Sequence, residues 1–117
     1  MPTLSLLVLR AREPRRLAEF YAALGLTFTE ERHDTGPLHF VSKAGAATIE
    51  IYPSTEQASS TASARIGFTV ACLDDALSTP ALMRAKMLSH PSDSPWGRRA
   101  VVQDPEGHKV ELVEESR

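Results

Sequence analysis

The chain has 117 residues, 42% of them hydrophobic and 24% charged, with a formal net charge of −2. That is enough chain for one domain with a core of its own, and a charged share near the ~25% of ordinary soluble domains excludes a wholly disordered chain. With 13 Lys+Arg against 15 Asp+Glu there is no basic stripe of the kind that binds nucleic acid. The densest basic stretch, Arg10 to Arg16, is interrupted by Glu13 and reads as a solvated helix start.

The single cysteine, Cys72, rules out a disulfide within the chain and reads as a small core residue. The apolar run Leu6-Leu7-Val8-Leu9 is too short to cross a membrane and lacks the order of a signal peptide. A cytoplasmic protein with no membrane partner is therefore expected.

Leu4 to Arg10 reads as a strand whose unbroken hydrophobicity predicts burial on both faces. Pro14 suits a first helical position, and Leu17, Phe20, Tyr21 and Leu24 fall at i, i+3, i+4 and i+7, so a helix is predicted over 14–24, closed by Gly25. A short strand over Thr27 to Glu31 comes next. Leu38 to Ser42 and Ala47 to Tyr52 then form a hairpin around Lys43-Ala44-Gly45. Residues 53–64 contain no bulky apolar side chain and read as a mobile linker.

The second half repeats the plan. Ile66 to Ala71 is a strand. Asp74-Asp75 opens a helical region that Pro80 breaks, leaving a short helix at about 80–85 capped by Thr79. Met87 to His90 is a further strand. Arg98 to Gln103 and His108 to Val113 form a hairpin around Asp104-Pro105-Glu106-Gly107, with Asp first, Pro second and Gly fourth, as a type I turn favours. The chain is thus one domain of two β-α-β-β-β modules, at about 4–52 and 65–114, a repetition that constrains the fold more than any single motif.

Strand alternation sorts the side chains. Ile49 and Ile51 oppose Thr48, Glu50 and Tyr52; Ile66, Phe68 and Val70 oppose Arg65, Gly67 and Thr69; Val110 and Leu112 oppose Lys109, Glu111 and Val113. The apolar sets belong under helices. The polar sets are either a solvated sheet face or, if the sheet curls, the lining of a cleft holding Glu50, Tyr52, Arg65, Thr69 and Glu111.

Two segments carry a resemblance, "LLVLRAREPRRLAEFYAALGL" at 6–26 and "SPWGRRAVVQDPEGHKVELVE" with its Trp96-Gly97 and Asp104-Pro105-Glu106-Gly107 elements. With them the chain resembles, over nearly its whole length, the vicinal oxygen chelate superfamily of glyoxalases, bleomycin-resistance proteins and extradiol dioxygenases, and in motif the bleomycin-resistance type. The resemblance implies an α+β fold in which two βαβββ modules make a curled mixed sheet with a cleft, and a homodimer. Metal-binding relatives carry four ligands whose positions fall here on Leu6, Glu50, Arg65 and Glu111. Leucine cannot ligate a metal, and a guanidinium has no lone pair to give. No metal or other cofactor is expected, and Arg65 is expected to neutralise Glu50 and Glu111. None of His33, His39, His90 and His108 falls at a ligand position.

The function these residues favour is metal-free binding and sequestration of a small, partly apolar molecule that is neutral or carries its own carboxylate. Trp96 and Phe40 are the candidate walls, and Glu50, Tyr52, Arg65 and Glu111 the polar contacts. The alternative is a glyoxalase-like lyase or isomerase with Glu50 or Glu111 as general base and Arg65 stabilising an oxyanion. A divalent-metal-dependent glyoxalase or dioxygenase stands behind both.

Overall fold

The computed structural model describes residues 1–115 and divides into two compact units, Met1–Thr61 and the chain from Ala62 onward. In the first, β1 (Leu6–Ala11) leads to α1 (Pro14–Ala22), then β2 (Thr29–Glu31), β3 (His39–Ala44) and β4 (Ala47–Pro53). They form a four-stranded sheet in the order β1-β4-β3-β2, with β1 parallel to β4 and the other pairs antiparallel.

The second unit holds β5 (Arg65–Val70), α2 (Leu73–Leu77), α3 (Pro80–Met83), β6 (Lys86–Ser94), β7 (Gly97–Gln103) and β8 (Lys109–Glu114). Its sheet repeats the plan as β5-β8-β7-β6, with β5 parallel to β8. Each unit is thus an open, mixed α+β sheet. Among the described residues no helix is long and apolar enough to cross a membrane.

Helix α1 starts where Pro14 needs no hydrogen-bonded N–H, and Glu13 precedes it without a side-chain cap. It ends two residues before the expected limit. The N–H groups of Leu24 and Gly25 bond three residues back, to the carbonyls of Tyr21 and Ala22, at 3.0 Å each, and Gly25 then turns the chain at φ 108°. The helix buries Leu17, Ala18, Phe20 and Tyr21 over Leu9, Ala11, Phe40, Ile49 and Ile51. The edge of Phe20 meets the ring of Tyr21 at 5.1 Å between centroids.

Only one face of β1 is buried, contrary to the expectation for this apolar run. Leu9 and Ala11 are enclosed, while Leu6 keeps 50% of its surface and Val8 is half-buried. A four-stranded sheet with one helix has one covered side, so the alternate side chains of even a continuous apolar strand stay outside it. The 53–64 segment is held at its far end: Thr61 Oγ1 accepts the Arg10 N–H at 3.0 Å along the β1 edge.

In the second unit two short helices replace the single one expected at about 80–85. The first begins at Leu73, whose N–H is taken by the Glu114 carboxylate at 2.8 Å, with Cys72, half-buried rather than in the core, at its N-cap. The second begins at Pro80 after Thr79. Thr79 turns its hydroxyl back to the Ala76 carbonyl at 3.1 Å rather than capping α3. Strand β6 is longer than expected because it is an edge strand, where Pro91 removes no ladder bond that is needed and two register shifts are tolerated.

The β7–β8 turn is organised by one carboxylate. Asp104 Oδ1 accepts the N–H of Glu106 and of His108 at 3.0 Å each, and the ring Nδ1 of His108 lies 2.9 Å from Oδ2. Both side chains are fully buried. Gly107, at φ 104°, supplies the left-handed residue.

Asp104→Ala leaves two backbone N–H groups and an imidazole without this acceptor, so it is expected to lower the unfolding free energy by about 3 kcal/mol. Glu56→Ala in the exposed 53–64 segment should change it by less than about 0.5 kcal/mol. Urea denaturation of the two variants against wild type checks this.

Candidate functional site

On the face of the first sheet away from α1, four side chains line up across the strands. The pairing sets Arg10 opposite Tyr52 and Glu31 opposite His39. His39 and Tyr52 lie one step beyond the Phe40–Ile51 pair. The Arg10 guanidinium sits 4.9 Å above the Tyr52 ring, and Tyr52 stacks on His39 at 4.1 Å with their planes 10° apart. Beyond His39 the chain turns through His33 to Gly36, with Asp34 in the left-handed region at φ 55°, and the His33 ring is 5.1 Å from that of His39.

Hydrogen bonds fix the middle of this row. His39 is 1% exposed. Its Nδ1 lies 3.1 Å from the Pro37 carbonyl, which can only accept, so this nitrogen carries the proton. Nε2 then presents its lone pair, which receives the Tyr52 hydroxyl at 3.2 Å. Burial and the charges of Glu50 and Glu31 push the Tyr52 pKa up, against the opposing effect of Arg10. Tyr52 therefore keeps the proton that it donates. Glu50 lies on this face too, opposite Val8 on β1 and Val41 on β3.

Phe40 does not join them. One residue on from His39, it points to the α1 side. There Arg15 covers it at 5.1 Å, and it lines a depression of about 240 Å³ with Ala18, Ala22 and Phe28, rimmed by the Arg15–Glu30 ion pair. As a wall for a ligand held by Glu50 and Tyr52 it is on the wrong side of the sheet.

In the second unit, Arg65, Gly67 and Thr69 of β5 share the face away from the helices with Glu111 of β8 and Arg99 of β7. Glu111 is the centre of this group. Arg99 grips its Oε1 through Nε at 2.7 Å and Nη2 at 2.5 Å, while Arg65 reaches the same oxygen at 3.4 Å. The hydrogen bonds and charge of Arg99, with a smaller share from Arg65, hold the Glu111 carboxyl below the ordinary glutamate range in spite of partial burial.

The expected role of Arg65 as the neutralising partner of Glu111 thus falls mainly to Arg99. In the sequence, Arg98-Arg99 gave no sign of which residue faces Glu111. The register decides: Arg99 shares the Glu111 face, while Arg98 turns to the helix side and pairs with Asp74 at 3.1 Å. Gly67 lies beside the carboxylate, whose Oε2 would be 3.7 Å from a Cβ there, an ordinary contact.

Trp96 is 72% exposed at the β6–β7 turn and is not part of the core of its unit. Its neighbour explains the dipeptide: Gly97 sits at φ 126°, and a Cβ would come within 2.9 Å of the Glu114 carbonyl oxygen.

The family follows from the repeated unit and from the sequence together. Residues 3–112 match the model of the Glyoxalase/Bleomycin resistance protein/Dioxygenase superfamily, and the chain belongs to that superfamily. Among solved structures it is similar to TnmS3, an antibiotic binding protein from Streptomyces sp. CB03234, with a TM-score of 0.78 and 14% identity over 99% of this chain and 98% of that one. It is also similar to TioX from Micromonospora sp. ML1, with a TM-score of 0.74 and 19% identity over 98% and 100%. A third is a glyoxalase/bleomycin resistance protein from Streptomyces sp. CB03234, with a TM-score of 0.74 and 15% identity over 96% and 100%. These likenesses are of fold. No curated protein matches the sequence.

The residues at the positions that resemble the family's metal ligands do not fit a metal. Leu6 offers only hydrocarbon, and Glu50 on β4 is one carboxylate. Arg65 is a cation that donates, and the Oε1 of Glu111 is already taken by two guanidinium groups.

Because the Glu111 pKa is lowered in the folded state, its contribution to stability is present above the ordinary carboxylate range and is lost as pH falls through the depressed value. The stability gap between wild type and Glu111→Gln is therefore expected to be constant near neutrality and to close below about pH 4. Denaturant melts of both proteins from pH 7 to pH 3 measure it.

Proposed function

We propose that the protein binds and sequesters a small, partly apolar molecule carrying a carboxylate or similar anionic group, without the aid of a metal. The observation that carries this reading is the convergence of Arg99 and Arg65 on the single carboxylate of Glu111. Two fixed cations against one anion leave a positive surplus on that sheet face, beside the uncharged Gly67, Thr69 and Val113. A planar guanidinium is well shaped to take a ligand carboxylate in two parallel hydrogen bonds.

The same pairing argues against catalysis by Glu111. A general base works best with a pKa near the working pH, and this one is moved the other way. Membership of a superfamily that includes bleomycin-resistance proteins, and likeness in fold to an antibiotic binding protein, support binding as the activity. Fold alone does not select a ligand.

The same reading has the protein working in the cytoplasm as a homodimer. Trp96, at 72% exposure, is an aromatic side chain of the type enriched at interface cores, and Leu4, at 69%, is a further exposed apolar side chain. Light scattering is expected to give twice the chain mass for wild type. Trp96→Ser should shift the protein toward the monomer as it is diluted.

The binding reading is tested with a panel of aromatic and polycyclic carboxylates in thermal-shift assays, each paired with its methyl ester. A carboxylate that raises the melting temperature of wild type should lose at least about tenfold in affinity against Arg65→Ala, as should the ester against wild type. Arg65 is the variant of choice because it is half-exposed and the lesser partner of Glu111. Equal stabilisation by acid and ester would overturn the anionic ligand. Turnover of any panel member by metal-stripped protein would overturn sequestration.

A further inference from the structure

The row on the first sheet has a chemistry that the binding function does not use. Glu31, His33 and His39 each present a ligand atom, and the three atoms lie within 4.8 Å of one another. Among the described residues no other such group of three His, Cys, Asp or Glu side chains occurs. We propose that these three side chains form a site for a borderline divalent transition ion of the Zn²⁺ class, on the face of the first sheet away from α1. The inference is independent of the proposed ligand and of the family's ligand positions, none of which it shares.

Three features support a built site. First, His39 is held as metal-bound histidines usually are: its Nδ1–H is committed to the Pro37 carbonyl, which orients the ring and leaves the Nε2 lone pair to be donated. Second, two of the ligands are placed by backbone pairing, since Glu31 and His39 are direct partners across β2 and β3. The third, His33, is returned toward them by the turn closed through the Gly36 N–H to the His33 carbonyl at 2.9 Å. Third, His33 Nε2 already lies 3.7 Å from the Glu31 carboxylate.

The geometry also says how far the site must close. Zn–N and Zn–O bonds of about 2.0–2.2 Å at tetrahedral angles set neighbouring ligand atoms about 3.4 Å apart. The widest separation here therefore has to shrink by at most roughly 1.4 Å. His33 and Glu31 have side chains 72% and 43% exposed and can make that movement by rotation, while buried His39 stays fixed.

Two imidazoles and one carboxylate suit Zn²⁺ and its first-row neighbours rather than Mg²⁺ or Ca²⁺, which prefer oxygen throughout. Three protein ligands leave a coordination position for water. The Tyr52 hydroxyl, now on Nε2 of His39, gives up that hydrogen bond when the metal takes the lone pair.

The test uses the full chain, stripped with chelator and titrated with Zn²⁺ alone by calorimetry, with Co²⁺ as the spectroscopic substitute. One ion per chain is expected, with the visible absorption of a four-coordinate Co²⁺ site. His33→Ala and Glu31→Gln alter exposed side chains and should fold normally. Each should weaken Zn²⁺ binding by about tenfold or more, as loss of even a supporting residue does. His90→Ala, at an exposed histidine of β6, should leave the affinity unchanged.

Because His39 is buried and its replacement would disturb the sheet, it is read without mutation. Imidazole nitrogen NMR should show Zn²⁺ moving one ring nitrogen in each of His33 and His39, with His90 and His108 unmoved. Absence of saturable uptake, full affinity in either His33→Ala or Glu31→Gln, an equal loss in His90→Ala, or an unmoved His39 would each overturn the site.

Discussion

In each unit the first strand runs parallel to the last, β1 beside β4 and β5 beside β8. Two parallel strands cannot be joined by a tight turn, so the chain must cross over, and the crossing places helix on one side of the sheet. Everything else depends on that asymmetry. The covered side takes the alternate apolar residues, Ile49 and Ile51 in one unit and Val110 and Leu112 in the other, all buried. The second side is left to the intervening positions, and every strand residue named in a proposed site stands there, His33 reaching it from the β2–β3 turn. A shift of one residue in register would exchange the two sets.

The two polar faces are built differently. In the first unit the row Arg10, Tyr52, His39, Glu31 is a stack of rings ended by opposite charges, with His39 buried within it. The imidazole of His39 is held from both sides, by a backbone carbonyl and a phenol. In the second unit the face is organised by charge, with two guanidinium groups sharing one carboxylate oxygen. A stacked histidine with Nδ1 committed to a carbonyl offers its other nitrogen, whereas an excess of guanidinium offers donors. The first is the proposed cation site and the second the proposed anion site, so the two polar faces of one repeated fold unit differ in the chemistry they offer.

Arg65, at a position that resembles a metal-ligand position of the family, carries a guanidinium that donates to the Glu111 carboxylate. Arg99 takes the same oxygen at closer range. The result is a carboxylate whose pKa is held below the ordinary glutamate range by two guanidinium partners.

The division of the second helical region into two helices was not legible in the sequence, whereas the order of the strands, the two repeats, the Asp104–Gly107 turn and the sorting of Glu50, Tyr52, Arg65 and Glu111 onto the polar faces were. Each follows from short-range rules: a period of two or 3.6, a proline at a helix start, a glycine where φ is positive. Less was legible where a residue's fate depends on its neighbour in another strand. Arg98 and Arg99 are equivalent until pairing with Val113 sends Arg99 to the side of Glu111. Phe40 looked like a wall until its pairing with Ile51 turned it under α1. His33 and His39 are six positions apart with a turn between them, a spacing that matches no metal motif, and only the β2–β3 register brings them to Glu31. Local sequence therefore determined where most elements form and, for β4, β5 and β8, which residues share a face. The tertiary structure alone decided which side chains from different strands meet, because register is set by the summed packing of a whole sheet.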